Sequence, residues 1–141
     1  MDRPITHGLL IKQYWLDKIL ARTKTWEIRS RATARRGPIA LIQSKSGQVI
    51  GTCEVVDVVG PLTAAELNRN HRRAGFRTDG LKGPTYAWVL RGARRLPKPV
   101  RYRHPQGAVI WVKLEPRVVR ALQGSRAAAP LSTKGRTRRR A

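Results

Sequence analysis

The chain has 141 residues, of which 40% are hydrophobic, and these values fit one domain with its own core and a short tail. The formal net charge of +22 predicts a polyanionic partner. A single cysteine excludes an internal disulfide, the three histidines are too scattered for a metal site, and no apolar run approaches the ~18 residues of a membrane span. We therefore expect a cytoplasmic monomer with no membrane partner, metal or cofactor.

The N-terminal part of the chain predicts a helix between two short strands. Apolar residues recur at helical spacing over residues 13–22, which indicates a helix with one buried face. Strands are predicted over residues 8–12, before this helix, and over residues 25–29, after it.

Two longer strands are predicted next, over residues 38–44 and 48–59. Ser46 and Gly47 form the turn signal between them. Gly51 lies inside the second run, and a glycine in that position indicates a bulge or the close approach of another segment.

A second helix is predicted from the pair Thr63 and Glu66, which have the spacing of a capping box. We expect this helix to run to about residue 73 and to end at Gly75. Residues 76–84 are mostly polar and contain glycine and proline, so they predict a loop.

The remaining strands are predicted over residues 85–90, 100–103 and 108–114. Pro97 and Pro99 are expected to break the chain between the first two, because proline cannot donate a ladder hydrogen bond. Five to seven short strands with two main helices predict a small α+β fold built on a β-barrel. A doubly wound fold is excluded because helices do not alternate with strands.

The composition changes near the C-terminus. Residues 116–141 contain eight Lys or Arg and no Asp or Glu. We assign the domain to residues 1–115 and expect the rest to be a basic, largely disordered tail. Within this tail, Val118, Val119 and Leu122 leave room for one helical turn.

Residues 24–29 place two cations, a carboxylate and an indole where the first helix meets a strand. On that strand Glu27 and Arg29 share one face, and Trp26 lies on the other. One interpretation is a surface ion pair, worth about 0–1 kcal/mol. The other is a cleft in which Glu27 accepts a hydrogen bond from a nucleobase amino group, while Lys24 and Arg29 contact phosphate or carbonyl oxygens.

Aromatic residues are candidates for the walls of such a cleft. These candidates are Trp15, Trp26, Tyr86 and Trp88. A base stacked on an exposed ring gains about 1–3 kcal/mol, but each of these residues also fits core packing. Trp111 alternates with small apolar residues, so we expect it in the core.

Further cations offer places for phosphate. Ser44, Lys45 and Ser46 form a hairpin tip that could hold a phosphate, although turns of this composition are common. Arg69 and Arg73 are four residues apart on the second predicted helix and would form one cationic face. Solvated arginines without a ligand are the alternative interpretation of all these cations.

Several of these segments, in this order, resemble the ASCH domain family. They are residues 12–15 (Lys-Gln-Tyr-Trp), 24–30 (Lys-Thr-Trp-Glu-Ile-Arg-Ser), 86–90 (Tyr-Ala-Trp-Val-Leu) and 107–111 (Gly-Ala-Val-Ile-Trp). The resemblance extends over about residues 8–115. It implies a PUA-like β-barrel with helices around a cleft and a partner that is RNA or another nucleic acid.

The resemblance and the chemistry of the residues together define the expected contacts with nucleic acid. They are Lys12, Gln13, Trp15, Lys24, Trp26, Glu27, Arg29, Ser44, Lys45, Ser46, Arg69, Arg73, Tyr86 and Trp88. The function that we expect is a binding module that holds an unstacked nucleotide in the cleft, with the flanking phosphates on arginine clusters.

Some members of the family remove the acetyl group from N4-acetylcytidine, with a Lys matching Lys24, a Thr three residues later and a Glu beyond the second helix. Here Glu27 replaces that Thr, and no Glu occurs between Glu66 and Glu115. A hydrolase acting on N4-acetylcytidine or RNA, with Lys24 and Glu27 as catalytic residues, is therefore the alternative function. A third is an adaptor that binds through the tail. Arg22 stands where the family usually has a helix-ending Gly.

Overall fold

A computed structural model describes residues 3–128 of the chain. Within these residues the chain forms six strands and four helices. In chain order they are β1 (His7–Ile11), α1 (Gln13–Leu20), β2 (Trp26–Arg29), β3 (Gly37–Gln43), β4 (Gln48–Val59), α2 (Ala64–Arg69), α3 (His71–Ala74), β5 (Tyr86–Arg101), β6 (Trp111–Lys113) and α4 (Pro116–Ala128).

The six strands form one sheet in the order β2-β5-β4-β3-β1-β6, which curls into a half-barrel. β1 and β3 run parallel, because the chain passes through α1 and β2 between them, and the other neighbouring strands are antiparallel. The turn from β3 to β4 is tight, with Lys45 and Gly47 in the left-handed region at φ of 67° and 68°. The predicted α+β, barrel-like fold is confirmed.

The largest hydrophobic cluster lies between α1 and the sheet. Leu16 and Ile19 of α1 are fully buried there against aliphatic residues of β1, β3, β4 and β5. A second cluster lies under α4, and a third lies under α2 and α3. This packing fixes α1 on the sheet. The position of its first turn relative to β2, the strand that follows it, is therefore fixed as well.

β5 continues without a break where the sequence predicted two strands. The strand passes through Pro97 and Pro99 because its ladder with β4 has no paired residues between Arg95 and Val100. A proline there leaves no hydrogen bond of that ladder unmade. β5 is therefore a single strand of 16 residues, the longest of the sheet.

The predicted second helix is divided into α2 and α3. The capping box of Thr63 and Glu66 is confirmed, with both reciprocal hydrogen bonds present. Asn70 interrupts the helix at φ −111° and ψ 26°, and its side-chain amide donates to the carbonyl of Glu66. This local hydrogen bond competes with the helical pattern. α3 ends at Gly75, which adopts φ 89° as a left-handed cap.

The helix α4 is longer than the single turn for which the sequence left room. It has 13 residues, and Val118 and Leu122 are fully buried on the second cluster. Residues 116–128 therefore form a helix, where the sequence analysis expected a largely disordered tail, because the two apolar residues gain a surface to pack on. The expectation of disorder for residues 129–141 lies outside the described residues. Among residues 3–128, no helix has both the length and the apolar character needed to cross a membrane.

Candidate functional site

A small open cavity lies beside α1, β2 and the loop that follows α3. Its volume is about 200 Å³, and it is lined by Trp15, Lys24, Glu27, Ile28 and Phe76. We call it the Lys24 cleft. Three of these five residues come from the helix–strand junction that the sequence had singled out for its mixed charge and aromatic character.

Lys24 is the buried cation of the cleft, with only 2% of its surface exposed. Its Nζ donates to the carbonyl oxygen of Ala74 at 2.5 Å, so it satisfies a carbonyl at the end of α3. The same Nζ lies 4.8 Å from the ring centre of Trp15 and 5.8 Å from that of Phe76. Such positions allow cation–π attraction from both rings.

Burial lowers the pKa of the Lys24 ammonium from its ordinary value to about 8. Loss of hydration is the largest cause, because it disfavours the charged form. The carboxylate of Glu27 acts in the opposite direction, while Arg29 and Lys18 lower the pKa further. The side chain is therefore a proton donor that becomes a neutral amine a little above physiological pH.

Glu27 is the buried anion of the cleft, and 5% of its surface is exposed. Its Oε2 accepts from Nε of Arg29 at 2.9 Å, and Arg29 also donates to the carbonyl of Leu10 at 2.8 Å. Its Oε1 lies 4.0 Å from Nζ of Lys24, which is beyond hydrogen-bond length. That oxygen can accept a hydrogen bond from a ligand in the cleft.

The backbone around Lys24 explains how the cleft is shaped. The amide of Thr25 donates to the carbonyl of Arg73, and the carbonyl of Thr25 accepts from the amide of Leu90, so this residue ties α3 and β5 together. At Gly75 a side chain would meet the stem of Lys24, since an added Cβ would lie 3.3 Å from its Cδ. The left-handed turn at Gly75 then directs Phe76 back to the cleft.

Most of the aromatic residues that were predicted to form the walls of the cleft do not line it. Trp15 lines the cleft, but Trp26 packs with the residues under α2 and α3. Trp88 is only 1% exposed, and it stacks on Trp111 at 5.6 Å between ring centres. Tyr86 is half-buried at the start of β5 and does not line the cleft. Trp26 and Trp88 cannot stack on a base in this arrangement, because the sheet and the short helices cover their faces.

The remaining predicted polar contacts divide into separate regions. Lys12 and Gln13 are exposed at the start of α1. Ser44 and Lys45 line a different cavity of about 480 Å³, which is bordered by Tyr102 and His104. The hydroxyl of Ser46 is occupied within its own turn, where it donates to the carbonyl of Gln43 and accepts from the amide of Gln48.

Arg69 and Arg73 are exposed, on α2 and α3 respectively, rather than on one continuous helix. The guanidinium of Arg73 donates to the side-chain oxygen of Asn70. Neither arginine lines the Lys24 cleft.

Sequence reasoning missed Phe76, the second aromatic wall. It is the only phenylalanine of the chain, and it was assigned to a loop. A signal was present, because an apolar residue directly after a helix-ending glycine often packs back on the structure. What the sequence did not show is that this loop faces Trp15, whose ring centre lies 5.4 Å from that of Phe76.

Two basic depressions border the Lys24 cleft. One, of about 480 Å³, shares Phe76 with the cleft and is lined by Lys18, Arg72 and Arg77. The other, of about 380 Å³, shares Ile28 and is lined by Arg29 and Lys82; its full lining is Ile28, Arg29, Ser30, Lys82, Gly83, Pro84 and Thr85. The small cleft therefore lies between two cationic hollows. Across residues 3–128, no three His, Cys, Asp or Glu side chains group as metal ligands would.

A family model described as the ASCH domain matches residues 9–115. This chain belongs to the ASCH domain family. A crystal structure of a Ser-to-Ala variant of the ASCH protein from Zymomonas mobilis has 19% identity and a TM-score of 0.64, covering 86% of this chain and 98% of that one. A Tyr-to-Phe variant of the same protein has 19% identity and a TM-score of 0.63, covering 84% of this chain and 96% of that one.

The structure titled as ASCH from Zymomonas mobilis gives 17% identity and a TM-score of 0.62, with coverage of 84% of this chain and 93% of that one. At these identities the likeness shows a shared fold. The comparison with curated proteins found no match.

Arg22 takes the place of the glycine that commonly ends the first helix in ASCH domains, and it keeps the conformation that suits glycine. Its φ is 65°, in the left-handed region. The guanidinium donates through Nε to the carbonyl of Ala93 on β5 at 2.8 Å, and it does not line the Lys24 cleft. The extra charge thus links α1 to the middle of β5.

Proposed function

We propose that this ASCH domain binds RNA by holding one unstacked nucleobase in the Lys24 cleft. Family membership and the surplus of positive charge support a nucleic-acid partner. The observation that carries the proposal is the contact of two aromatic rings, Trp15 and Phe76, beside a buried Lys24–Glu27 pair; the ring centres are 5.4 Å apart and their planes are tilted by 54°. A single-stranded base can stack on one such ring while its edge contacts the charged groups.

The size of the cleft supports one base rather than a larger ligand. Its volume of about 200 Å³ lies below the ~300–1,000 Å³ of pockets for drug-sized molecules. The rest of the nucleotide would extend into the bordering hollows, where Lys18 and Arg72 lie on one side and Lys82 on the other. Cations at these positions suit phosphates on both sides of the held base.

The floor of the cleft can pair with the edge of a base. Oε1 of Glu27 can accept a hydrogen bond, and Nζ of Lys24, which lies 4.0 Å from it, can donate one. Cytosine and adenine present an amino donor beside a ring acceptor, which complements this pair. Uracil presents a ring N–H donor beside a carbonyl acceptor, which complements it as well. Hydrogen bonding at the floor therefore does not by itself separate oligo(C) or oligo(A) from oligo(U).

The experiment measures RNA affinity after the removal of one ring. Phe76→Leu keeps an apolar side chain but loses the stacking surface, so affinity for single-stranded RNA should fall about tenfold, within the ~1–3 kcal/mol of one stacked base. Tyr86→Leu is the matched control, because it also removes an aromatic ring and Tyr86, at the start of β5, does not line the cleft. Fluorescence anisotropy with labelled RNA, and with DNA of the same sequence, gives both affinities.

Unchanged affinity in Phe76→Leu, or an equal loss in Tyr86→Leu, would contradict a base held in the cleft. Tighter binding of the DNA strand than of the RNA would replace RNA by DNA as the partner. Thermal unfolding of each variant checks that the fold is kept.

The lowered pKa of Lys24 favours a hydrolase as the second candidate function. A buried amine that is partly neutral near physiological pH can take a proton from water, and Glu27 lies beside it. Incubation with N4-acetylcytidine, and separately with labelled RNA, would reveal a product that disappears in Lys24→Met. Binding of RNA without turnover of either substrate would favour the binding module.

A further inference from the structure

A row of exposed cations follows the outer half of β5, away from the Lys24 cleft. This β5 cation row consists of Arg91, Arg94, Arg95, Lys98 and Arg101. The row does not line the cleft or either of the hollows beside it. The positive charge of the row is therefore not part of the proposed base-binding site.

The row exists because β5 is bulged. Leu90, Ala93 and Leu96 are buried at a spacing of three rather than the two of a regular strand. The ladder shows the extra residue directly, since Thr52 pairs with Arg94 while Glu54 pairs with Arg91. A bulge places two successive residues outside the core, so the strand presents more cations to solvent than strict alternation would allow.

Little of this charge is neutralised within the chain. Arg91 contacts Glu54 at 3.0 Å, and Arg95 contacts Asp17 at 3.8 Å, but both pairs are well exposed and therefore weak. In the part of the chain that the structure describes, no salt bridge reaches the other three members, Arg94, Lys98 and Arg101. The row thus keeps a net positive charge beside solvent.

The part of β5 that carries the row is an open sheet edge. β2 pairs with β5 only from Tyr86 to Val89, so the later part of β5 has no strand on that side. The guanidinium of Arg22 covers one carbonyl there, that of Ala93. α1 stands between this edge and the Lys24 cleft, since Trp15 lines the cleft and Asp17 contacts the row.

The composition of the row indicates what kind of polyanion fits. Residues 91–101 contain no Trp, Tyr or Phe, so the surface has no ring on which an unpaired base could stack. A duplex hides its base faces and presents phosphates outward, which guanidinium groups bind well. Ten residue steps at about 3.3 Å span roughly 30 Å, which is long enough for several cations to contact successive phosphates of a duplex.

We propose that the β5 cation row binds the phosphate backbone of double-stranded RNA, at a surface separate from the Lys24 cleft. The chain then holds a duplex on one side of α1 and an unstacked nucleotide on the other. Contact with the backbone alone makes this second surface independent of sequence.

The experiment uses the full-length chain with Arg94→Gln and Lys98→Gln combined, because both side chains are exposed and neither forms an ion pair within residues 3–128. The probe is a labelled blunt RNA duplex of about two helical turns. Binding should weaken about tenfold, and the slope of log affinity against log salt should fall by about 1.8, since each phosphate contact contributes about 0.9. Affinity for single-stranded RNA should stay within about twofold, because that site lies across α1.

The matched control is Lys113→Gln combined with Arg120→Gln, which removes two exposed cations from β6 and α4. An equal loss of duplex binding in this control would overturn the proposal, since charge anywhere on the surface would then suffice. Unchanged duplex binding in the β5 variant, accompanied by self-association, would also overturn it and assign the row to protection of an open sheet edge. An equal loss for single-stranded RNA would make the row part of the first site. Phe76→Leu tests that first site independently.

Discussion

At the scale of single residues, Lys24 determines the chemistry of the cleft. An ammonium removed from water is costly unless it is paired and hydrogen-bonded. Here it has one carbonyl at 2.5 Å, two aromatic rings and a carboxylate that is 4.0 Å away and already bound by Arg29. These partners compensate for the lost hydration only in part, so the pKa falls to about 8.

The lowered pKa of Lys24 predicts how stability changes with pH. In the unfolded chain a lysine pKa returns to about 10.4, so between about pH 8 and pH 10 the unfolded chain binds more protons than the folded one. The contribution of Lys24 to the free energy of unfolding therefore rises with pH, by about 2 kcal/mol across that window. Urea unfolding of the native chain and of Lys24→Met at several pH values should show this rise in their difference.

The comparison with Lys24→Met is needed because the ionisation of Cys53 changes the free energy of unfolding with pH in the opposite direction. Burial raises the pKa of this thiol in the folded state, whereas an unfolded cysteine ionises near pH ~8.5. The Cys53 contribution is therefore lost as pH rises, and it is common to both proteins. A difference that stays flat from pH 8 to pH 10 would show that Lys24 keeps its ordinary pKa.

At the scale of secondary-structure elements, Gly51 allows β4, β5 and α1 to meet. A Cβ on this residue would lie 2.6 Å from the carbonyl oxygen of Arg94 and 2.6 Å from Cδ2 of Leu20. The ladder between β4 and β5 also shifts register between Val49 and Gly51. The bulge or close approach that the sequence predicted at this glycine is confirmed.

Gly51→Ala should destabilise the fold because backbone stands on one side of the new methyl group and cannot move aside. We expect the free energy of unfolding to fall by about 1–3 kcal/mol, as for other overpacked cores. Gly124→Ala is the matched control, since no neighbouring element among residues 3–128 has an atom within 4 Å of a Cβ added there. In the α4 helix it should raise stability by about 0.5–1 kcal/mol. Denaturant midpoints that move the same way in both variants would refute this account.

At the scale of the whole molecule, the folded domain continues beyond the family match. The match ends at residue 115, but α4 begins at Pro116 and buries Val118 and Leu122 completely. Their cluster includes Ile5 near the N-terminus and Leu96 on β5. α4 therefore packs on the sheet through the second hydrophobic cluster, and it belongs with the folded core rather than with the basic tail.

Leu122→Ala tests whether α4 contributes to folding. Truncation of a fully buried leucine leaves a cavity, and it should lower the free energy of unfolding by about 2–5 kcal/mol. Gln123→Ala, on an exposed neighbour of the same helix, should change it by less than about 0.5 kcal/mol. Equal small effects in calorimetry would show that the domain ends near residue 115, as the sequence suggested.

Local sequence patterns predicted the elements that nearby residues control. Helical spacing identified α1, the pair Thr63 and Glu66 located the start of α2, and apolar runs rich in Ile and Val located β3 and β4. The segment from Lys24 to Arg29 was recognised because its mixed charge is unusual for a helix–strand junction. In each case the residues that form the pattern also make the local interactions that form the helix or strand. The pattern therefore predicts the element without knowledge of the rest of the fold.

Only the tertiary structure decided which residues meet in the cleft. Phe76 faces Trp15 because α3 ends at Gly75 and α3 is tied to Thr25, while Trp26 and Trp88 are covered by elements that are distant in sequence. β5 passes through two prolines because its partner strand skips residues opposite them. Periodicity reports which side chains share a face, but burial and ligand access depend on the segment that packs on that face. Contacts between distant parts of the chain determine which segment packs on each face.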